Sequence, residues 1–191
     1  YEFFDLQLYT SFRMGWIGIQ TKRGCGFKCI YCPYPFLEGH KLRLRDPSHV
    51  VDEIEFLVKN HQIKKFTFVD SVFNAPLPLA VTICKEIISR KLDISWASYT
   101  SVKGFTEEYA RLAAEDGCVA FPFSVDAFSD NALKAMGKGY TQKDVLNAYE
   151  VGRRVKPIQV GFSFFLDTPE TTVNDFVNLI KFLFKVKREF H

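Results

Sequence analysis

Cys25, Cys29 and Cys32 fall within eight residues, in the run Arg23-Gly24-Cys25-Gly26-Phe27-Lys28-Cys29-Ile30-Tyr31-Cys32-Pro33. The spacing is C-x3-C-x2-C, with the aromatic Tyr31 directly before the third cysteine. Three thiolates on one short loop can hold three corners of an iron–sulfur cube and leave the fourth iron open to another ligand. Zinc is the competing chemistry, but a structural zinc site needs four ligands and commonly draws on paired C-x2-C units. His40, Cys84 and Cys118 are the available fourth ligands, and Cys84 lies inside a predicted helix. A ferredoxin-type electron carrier wants a fourth cysteine nearby, and none follows Cys32 before Cys84. Five cysteines, an odd number with three crowded together, indicate metal binding in a reducing cytoplasm rather than a disulfide framework.

The elements that must position this loop are legible from hydrophobic patterning. A first strand is expected near Trp16–Thr21, with the cysteine loop directly after it. Asp46 and Pro47 open a helix through Val50, Val51, Ile54, Leu57 and Val58 as N-cap and first helical residue. Strands follow at Lys65–Asp70, Ile94–Ser98, Val119–Val125 and Pro157–Leu166. Helices are expected at Pro76–Arg90, Thr106–Asp116 with Gly117 closing it, Ser129–Met136, Thr141–Arg154 and Thr171–Val186. Alternation of strand and helix implies an α/β fold with a parallel sheet and right-handed crossovers. A partial (β/α) TIM-type barrel of five or six βα units satisfies that order, and so does a doubly wound sheet. In both, the loops at the carboxyl ends of the strands build the site. Those ends carry the cysteine loop, Asp70-Ser71, Ser98, Ser124–Asp126 and Asp167, which suggests a single rim.

Composition bounds the rest. The chain has 191 residues, 47% hydrophobic and 16% aromatic, with 20 Phe, enough for one domain or a large part of one with an aromatic core. A net charge of +3 does not point to nucleic acid as a partner. No apolar run approaches the roughly 20 residues a membrane span requires, and no signal-peptide pattern opens the chain. The sequence starts at Tyr1, which suggests an excised fragment: a connector segment over 1–15 and a core domain over 16–191, truncated at its C-terminus because no sixth strand is evident.

The cysteine motif, its place after the first strand and the βα succession resemble the radical S-adenosylmethionine (SAM) superfamily, from about Ile17 to Val186. The resemblance implies that Cys25, Cys29 and Cys32 ligate a [4Fe–4S] cluster and that SAM binds the open iron. One electron would then cleave SAM to methionine and a 5′-deoxyadenosyl radical. It further implies that Tyr31 packs near the adenine, and that Asp70 and Ser71 approach the methionine amino group. Ser124 and Asp126 stand where the family often has Gly-x-Glu-Ser, and Ser98 joins them on the rim. Lys138, in a Lys-Gly-x-Thr segment, would meet the SAM carboxylate or Asp126, a solvated loop lysine being the plain alternative. Gly24 and Gly26 are expected to let the backbone wrap tightly around the cluster. Leu166–Thr171 resembles the family's Gly-x-Pro-Gly-Glu-Thr turn without its glycines, leaving Glu170 and Thr171 to start the last helix. Arg43 and Arg45 form a basic strip suited to a phosphate or a second domain.

Phe68-Val69-Asp70-Ser71-Val72-Phe73-Asn74 is similar to the form found in members that carry a cobalamin-binding domain. The expected function is therefore a radical SAM enzyme core acting on a small molecule in a cobalamin-dependent parent protein. Its partners would be an N-terminal cobalamin domain and a reductant such as flavodoxin or ferredoxin. A methylthiotransferase-like radical SAM enzyme and a non-catalytic iron–sulfur or zinc scaffold are the alternatives.

Overall fold

The protein is described here by a computed structural model, which covers residues 4–11 and 15–190. It opens with α1 (Leu6–Ser11) and β1 (Ile17–Ile19), then β2 (Lys22–Arg23), α2 (Tyr34–Glu38) and β3 (Arg43–Leu44). The alternation then becomes regular: α3 (Pro47–His61), β4 (Lys65–Phe68), α4 (Leu77–Ser89), β5 (Ser95–Ser98), α5 (Glu107–Glu115) and β6 (Cys118–Asp126). It finishes with α6 (Asp130–Ala135), α7 (Gln142–Arg154), β7 (Gln159–Phe164) and α8 (Val173–Phe190).

The main sheet has the order β1-β4-β5-β6-β7, and every pairing is parallel. A doubly wound sheet reverses direction at a switch point. This sheet never does, so of the two expected architectures the chain adopts the partial barrel. Because each strand feeds a helix and returns beside its predecessor, all carboxyl ends lie on one rim. The cysteine loop leaves that rim at the end of β1.

Local sequence explains most boundaries. The Asp46 side chain accepts from the Ser48 N–H and so caps α3, whose Val50, Val51, Ile54 and Leu57 are buried. Thr106 caps α5 by accepting from the Tyr109 N–H at 3.2 Å. Asp144 reaches back to the Thr141 N–H at 2.7 Å to start α7. The last helix differs from expectation. Thr172 and Asp175 form its reciprocal cap, through the Thr172 N–H to Asp175 Oδ2 (2.9 Å) and the Asp175 N–H to Thr172 Oγ1 (3.2 Å). Glu170 instead lies in the turn at φ 61°, the left-handed conformation its missing glycine would have taken easily. The helix also runs to Phe190 rather than ending at Val186.

Three elements escape a reading by periodicity because they are too short to show one. They are α1 inside the expected connector, where Leu6 is buried, α2, and the antiparallel β2–β3 ribbon pairing Lys22 with Leu44 and Arg23 with Arg43. Residues 1–3 and 12–14 of the expected connector lie outside the described residues.

An aromatic column fills the core. Phe68 stacks on Phe73 at 4.3 Å, and Trp96 meets both edge-on at 5.0 and 5.2 Å. Phe121 continues the column from Trp96, and Phe105 bridges Phe121 to Phe123. Each such ring contributes on the order of 1.5–3 kcal/mol by burial.

At the amino end of β6 the Trp96 indole N–H donates to Asp116 Oδ1 at 2.8 Å. Burial pushes the Asp116 carboxyl up to about 7, with the Cys84 and Trp96 hydrogen bonds opposing. An unfolded aspartate titrates near 3.9. The folded protein therefore keeps a proton there that the unfolded chain releases. That contribution to stability is complete below about pH 4 and is lost as pH rises through about 7. Urea unfolding from pH 4 to 8 is expected to lose up to about 1.4 kcal/mol per pH unit from this group. Asp116→Asn, which keeps an acceptor for Trp96, is expected to flatten that slope.

Candidate active site

The cysteine loop is anchored before it begins. Asp70, just past β4, has a fully buried side chain. Its Oδ1 accepts from the backbone N–H groups of Thr21 (2.9 Å) and Lys22 (3.1 Å). Its Oδ2 accepts from the Thr21 hydroxyl (2.5 Å) and the Lys22 ammonium (3.2 Å). Lys22 Nζ also donates to the Phe73 carbonyl at 3.1 Å. Burial pulls the Lys22 ammonium down, while Asp70 holds it up. Asp70 was expected to receive a ligand's amino group, but four protein donors already occupy its two oxygens. Its structural task is to tie the end of β1 to the end of β4. Asn74 makes the next tie, donating to the Ser101 carbonyl at 2.9 Å and accepting from the Ser101 N–H at 2.8 Å.

The loop itself is closed by backbone contacts. The Cys25 N–H donates to the Gly39 carbonyl at 3.1 Å, and the Cys32 N–H to the Cys29 carbonyl at 3.3 Å. The Ile30 N–H reaches the Met136 carbonyl at 3.2 Å, which brings the segment after α6 onto the loop. Gly24 is required: its φ is 90°, and a Cβ there would lie 2.3 Å from the Lys41 carbonyl oxygen. Gly26 is not, because a Cβ there would meet no atom within 4 Å, so only one of the two flanking glycines serves tight wrapping. Gly137 makes the approach to the loop, where a Cβ would lie 2.2 Å from the Lys28 carbonyl oxygen.

Cys25, Cys29 and Cys32 open onto a cleft of about 460 Å³ on the carboxyl rim of the sheet. Tyr31, Asp70, Ser71, Ser124 and Lys138 share its wall. Ser98 does not line it: the residue is buried and its hydroxyl lies 3.2 Å from the Thr100 hydroxyl. Asp126 stands behind the wall at φ 70°, paired with the Lys138 ammonium and accepting from the Tyr31 hydroxyl. Lys138 Nζ donates to the Tyr31 hydroxyl (3.0 Å) and the Ser124 carbonyl (3.3 Å), and lies 5.3 Å from the Tyr31 ring centroid. With 6% of its side chain exposed, Lys138 is not a solvated loop lysine. Ser129, not Asp126, caps α6.

These contacts set the local electrostatics. Burial lowers the Lys138 ammonium, but Tyr140, Asp126 and Cys29 together hold it above its ordinary range. Burial, then the hydrogen bond to Asp126, raises the Tyr31 phenol. Burial raises the Cys29 thiol, and the Lys138 charge opposes it. The cleft therefore presents one buried cation beside the sulfurs. Tyr140, whose hydroxyl donates to the Ser124 and Val125 carbonyls at 3.3 and 3.2 Å, completes that wall. Neither Tyr140 nor Lys22 stands out in the sequence. The one hint is position, since each lies within a singled-out segment.

Among the described residues no three His, Cys, Asp or Glu side chains converge on a point that one metal ion could occupy. A zinc centre needs such convergence. An iron–sulfur cube takes each thiolate on a different iron, so three cysteines of one loop lining the same cleft fit that group.

A family profile described as the Radical SAM superfamily matches residues 19–183. An uncharacterized methyltransferase of Pyrococcus horikoshii is 27% identical over 186 residues, which is 97% of this chain and 40% of that protein. The anaerobic magnesium-protoporphyrin IX monomethyl ester cyclase of Rubrivivax gelatinosus is 38% identical over 122 residues, 62% of this chain and 22% of that protein. The structure of TsrM, a radical S-adenosylmethionine methyltransferase from Kitasatospora setae with cobalamin and a [4Fe–4S] cluster bound, superimposes with a TM-score of 0.85. That match is 24% identical and covers 95% of this chain and 34% of that one. The chain thus spans between about a fifth and two-fifths of the length of these relatives.

Substitutions test the anchor and the loop it leads into. Lys22→Met leaves the Asp70 carboxylate buried without its cation and is expected to cost about 3–5 kcal/mol in urea unfolding. Lys22→Met with Asp70→Leu should recover part of that loss. Gly24→Ala should abolish stable folding of the loop, read as rapid amide exchange over residues 24–45, while Gly26→Ala leaves exchange unchanged.

Proposed function

The chain belongs to the Radical SAM superfamily, and we propose that Cys25, Cys29 and Cys32 hold its [4Fe–4S] cluster and that the cleft in front of them takes SAM. The observation that carries this reading is the shared cleft: three thiols of one loop face the same space as the buried Lys138 ammonium. When bound, these groups supply a one-electron reductive cleavage of the SAM sulfonium to methionine and a 5′-deoxyadenosyl radical.

The chain's own residues bind, orient and shield. Lys138 offers its ammonium to the SAM carboxylate, exchanging part of its pairing with Asp126 for the ligand's charge. Asp126 keeps the ammonium aimed into the cleft and receives the Tyr31 hydroxyl, which fixes the phenol ring over the loop. Phe165 packs against that ring in a T-shaped contact at 5.2 Å. Ser71 and Ser124 also line the cleft. Val69, Val72, Val102 and Phe123 give the cleft apolar lining. Asp70 and Ser98, with their polar atoms engaged inside the protein, support the wall.

The reading extends to a longer protein that acts on a small molecule with a cobalamin-binding domain alongside this core. Its support is the Phe68-x-Asp70-x-x-Phe73-Asn74 segment and the likeness to the cobalamin-bound TsrM fold.

Anaerobic reconstitution with iron and sulfide is expected to give close to four irons per chain. The reduced protein should show a [4Fe–4S]⁺ EPR signal that shifts on adding SAM. Stoichiometric zinc, or a cluster blind to SAM, would overturn the reading. Lys138→Met should raise the SAM concentration needed for the shift about tenfold or more, with iron content unchanged, as expected for loss of one charge-assisted hydrogen bond.

A further inference from the structure

We infer that Tyr140 is a positioning residue for SAM: its hydroxyl clamps a bulge at the end of β6, and the bulge holds Asp126 where it directs the Lys138 ammonium. The inference rests on the SAM reading above.

Strand β6 pairs with β7 in even register as far as Ser124 and Ser163, and then Asp126 stands opposite Phe164. Val125 is the extra residue, with no partner across the ladder. A bulge of this kind bends its strand and re-aims the side chains beside it. The next residue here is Asp126, whose φ of 70° lies in the left-handed region that most side chains avoid. From that conformation its carboxylate meets Lys138 and Tyr31, and its carbonyl accepts the Phe165 N–H at 2.9 Å.

The bulge needs a donor from outside the ladder. Val125 is fully buried, and a buried carbonyl left unpaired is costly. Tyr140 comes from the segment between α6 and α7, half-buried and packed against the core. Its hydroxyl donates to the Ser124 carbonyl at 3.3 Å and to the Val125 carbonyl at 3.2 Å. Those carbonyls belong to the two peptides on either side of the extra residue, so one hydroxyl spans the whole bulge. Burial raises the Tyr140 phenol, which keeps it a donor at neutral pH.

The same side chain bears on Lys138 directly. Lys138 Nζ lies 6.0 Å from the Tyr140 ring centroid and also donates to the Ser124 carbonyl at 3.3 Å. An ammonium that turns to a ligand carboxylate gives up that carbonyl, and the Tyr140 hydroxyl keeps the carbonyl paired. Tyr140 thus fixes where Lys138 starts and eases its exchange of partners.

Tyr140→Phe removes the hydroxyl and keeps the ring. In the cluster-free protein, amide hydrogen exchange at Phe165 is expected to quicken about tenfold or more, because its acceptor belongs to Asp126. Exchange at Trp96, whose N–H donates to the Gly117 carbonyl at the amino end of the sheet, should stay unchanged. In the cluster-loaded protein, the SAM concentration that shifts the EPR signal should rise several-fold, with iron content unchanged. In a Lys138→Met background the same substitution should add less than about twofold, because Tyr140 acts through Lys138. Unchanged Phe165 exchange in Tyr140→Phe would overturn the assignment. So would exchange that rises equally at Trp96, which marks a general loss of structure, and so would a full several-fold effect in the Lys138→Met background. Wild-type protein whose EPR signal ignores SAM would overturn the SAM reading, and the positioning role with it, whatever the exchange shows.

Discussion

One carboxylate at the end of one strand holds the site in place. Asp70 takes four hydrogen bonds from Thr21 and Lys22, two of them from backbone N–H groups. A carboxylate with no exposed side-chain surface is costly unless it is paired and its lone pairs are filled. Here both conditions are met by residues that lead directly into the cysteine loop. The loop cannot shift relative to β4 without exposing that charge. The position of the sulfurs over the sheet thus follows from a desolvation penalty, and the β2–β3 ribbon extends the same constraint to the far side of the loop.

The opposite wall depends on a second buried pair with a different role. Lys138 and Asp126 are nearly as enclosed as the anchor, yet their polar partners Tyr31, Ser124 and Tyr140 border the cleft. The Lys138 ammonium can exchange one oxygen partner for another because several acceptors surround it. Lys22 has no such freedom. Cys29 and Cys32 line this cleft and border a second groove as well. A fold that places one charge to hold and another to exchange can anchor a rigid group and admit a mobile one in the same space.

Much of this could be read from the chain. The C-x3-C-x2-C spacing, the helix caps at Asp46 and Thr106, and the strand–helix alternation are local patterns, and local patterns survive in sequence. The radical SAM assignment rested on them, and the family profile over residues 19–183 agrees. The segments that were missed, α1, α2 and the β2–β3 ribbon, are six residues long or shorter, too short to display a period.

What each polar residue does was decided by distance in space. Asp70 and Asp126 both end strands and both read as ligand contacts, yet one is filled by Thr21 and Lys22 and the other supports Lys138 from behind the wall. Ser98 and Ser124 both sit on the rim, and only Ser124 lines the cleft. For the two aspartates these outcomes depend on partners 12 to 95 positions away in the chain. Sequence alone determined the family and the order of the longer strands and helices, because each is written in neighbouring residues. The tertiary structure alone decided which charges are satisfied internally and which remain available, because burial and pairing are properties of the folded contact and not of the chain.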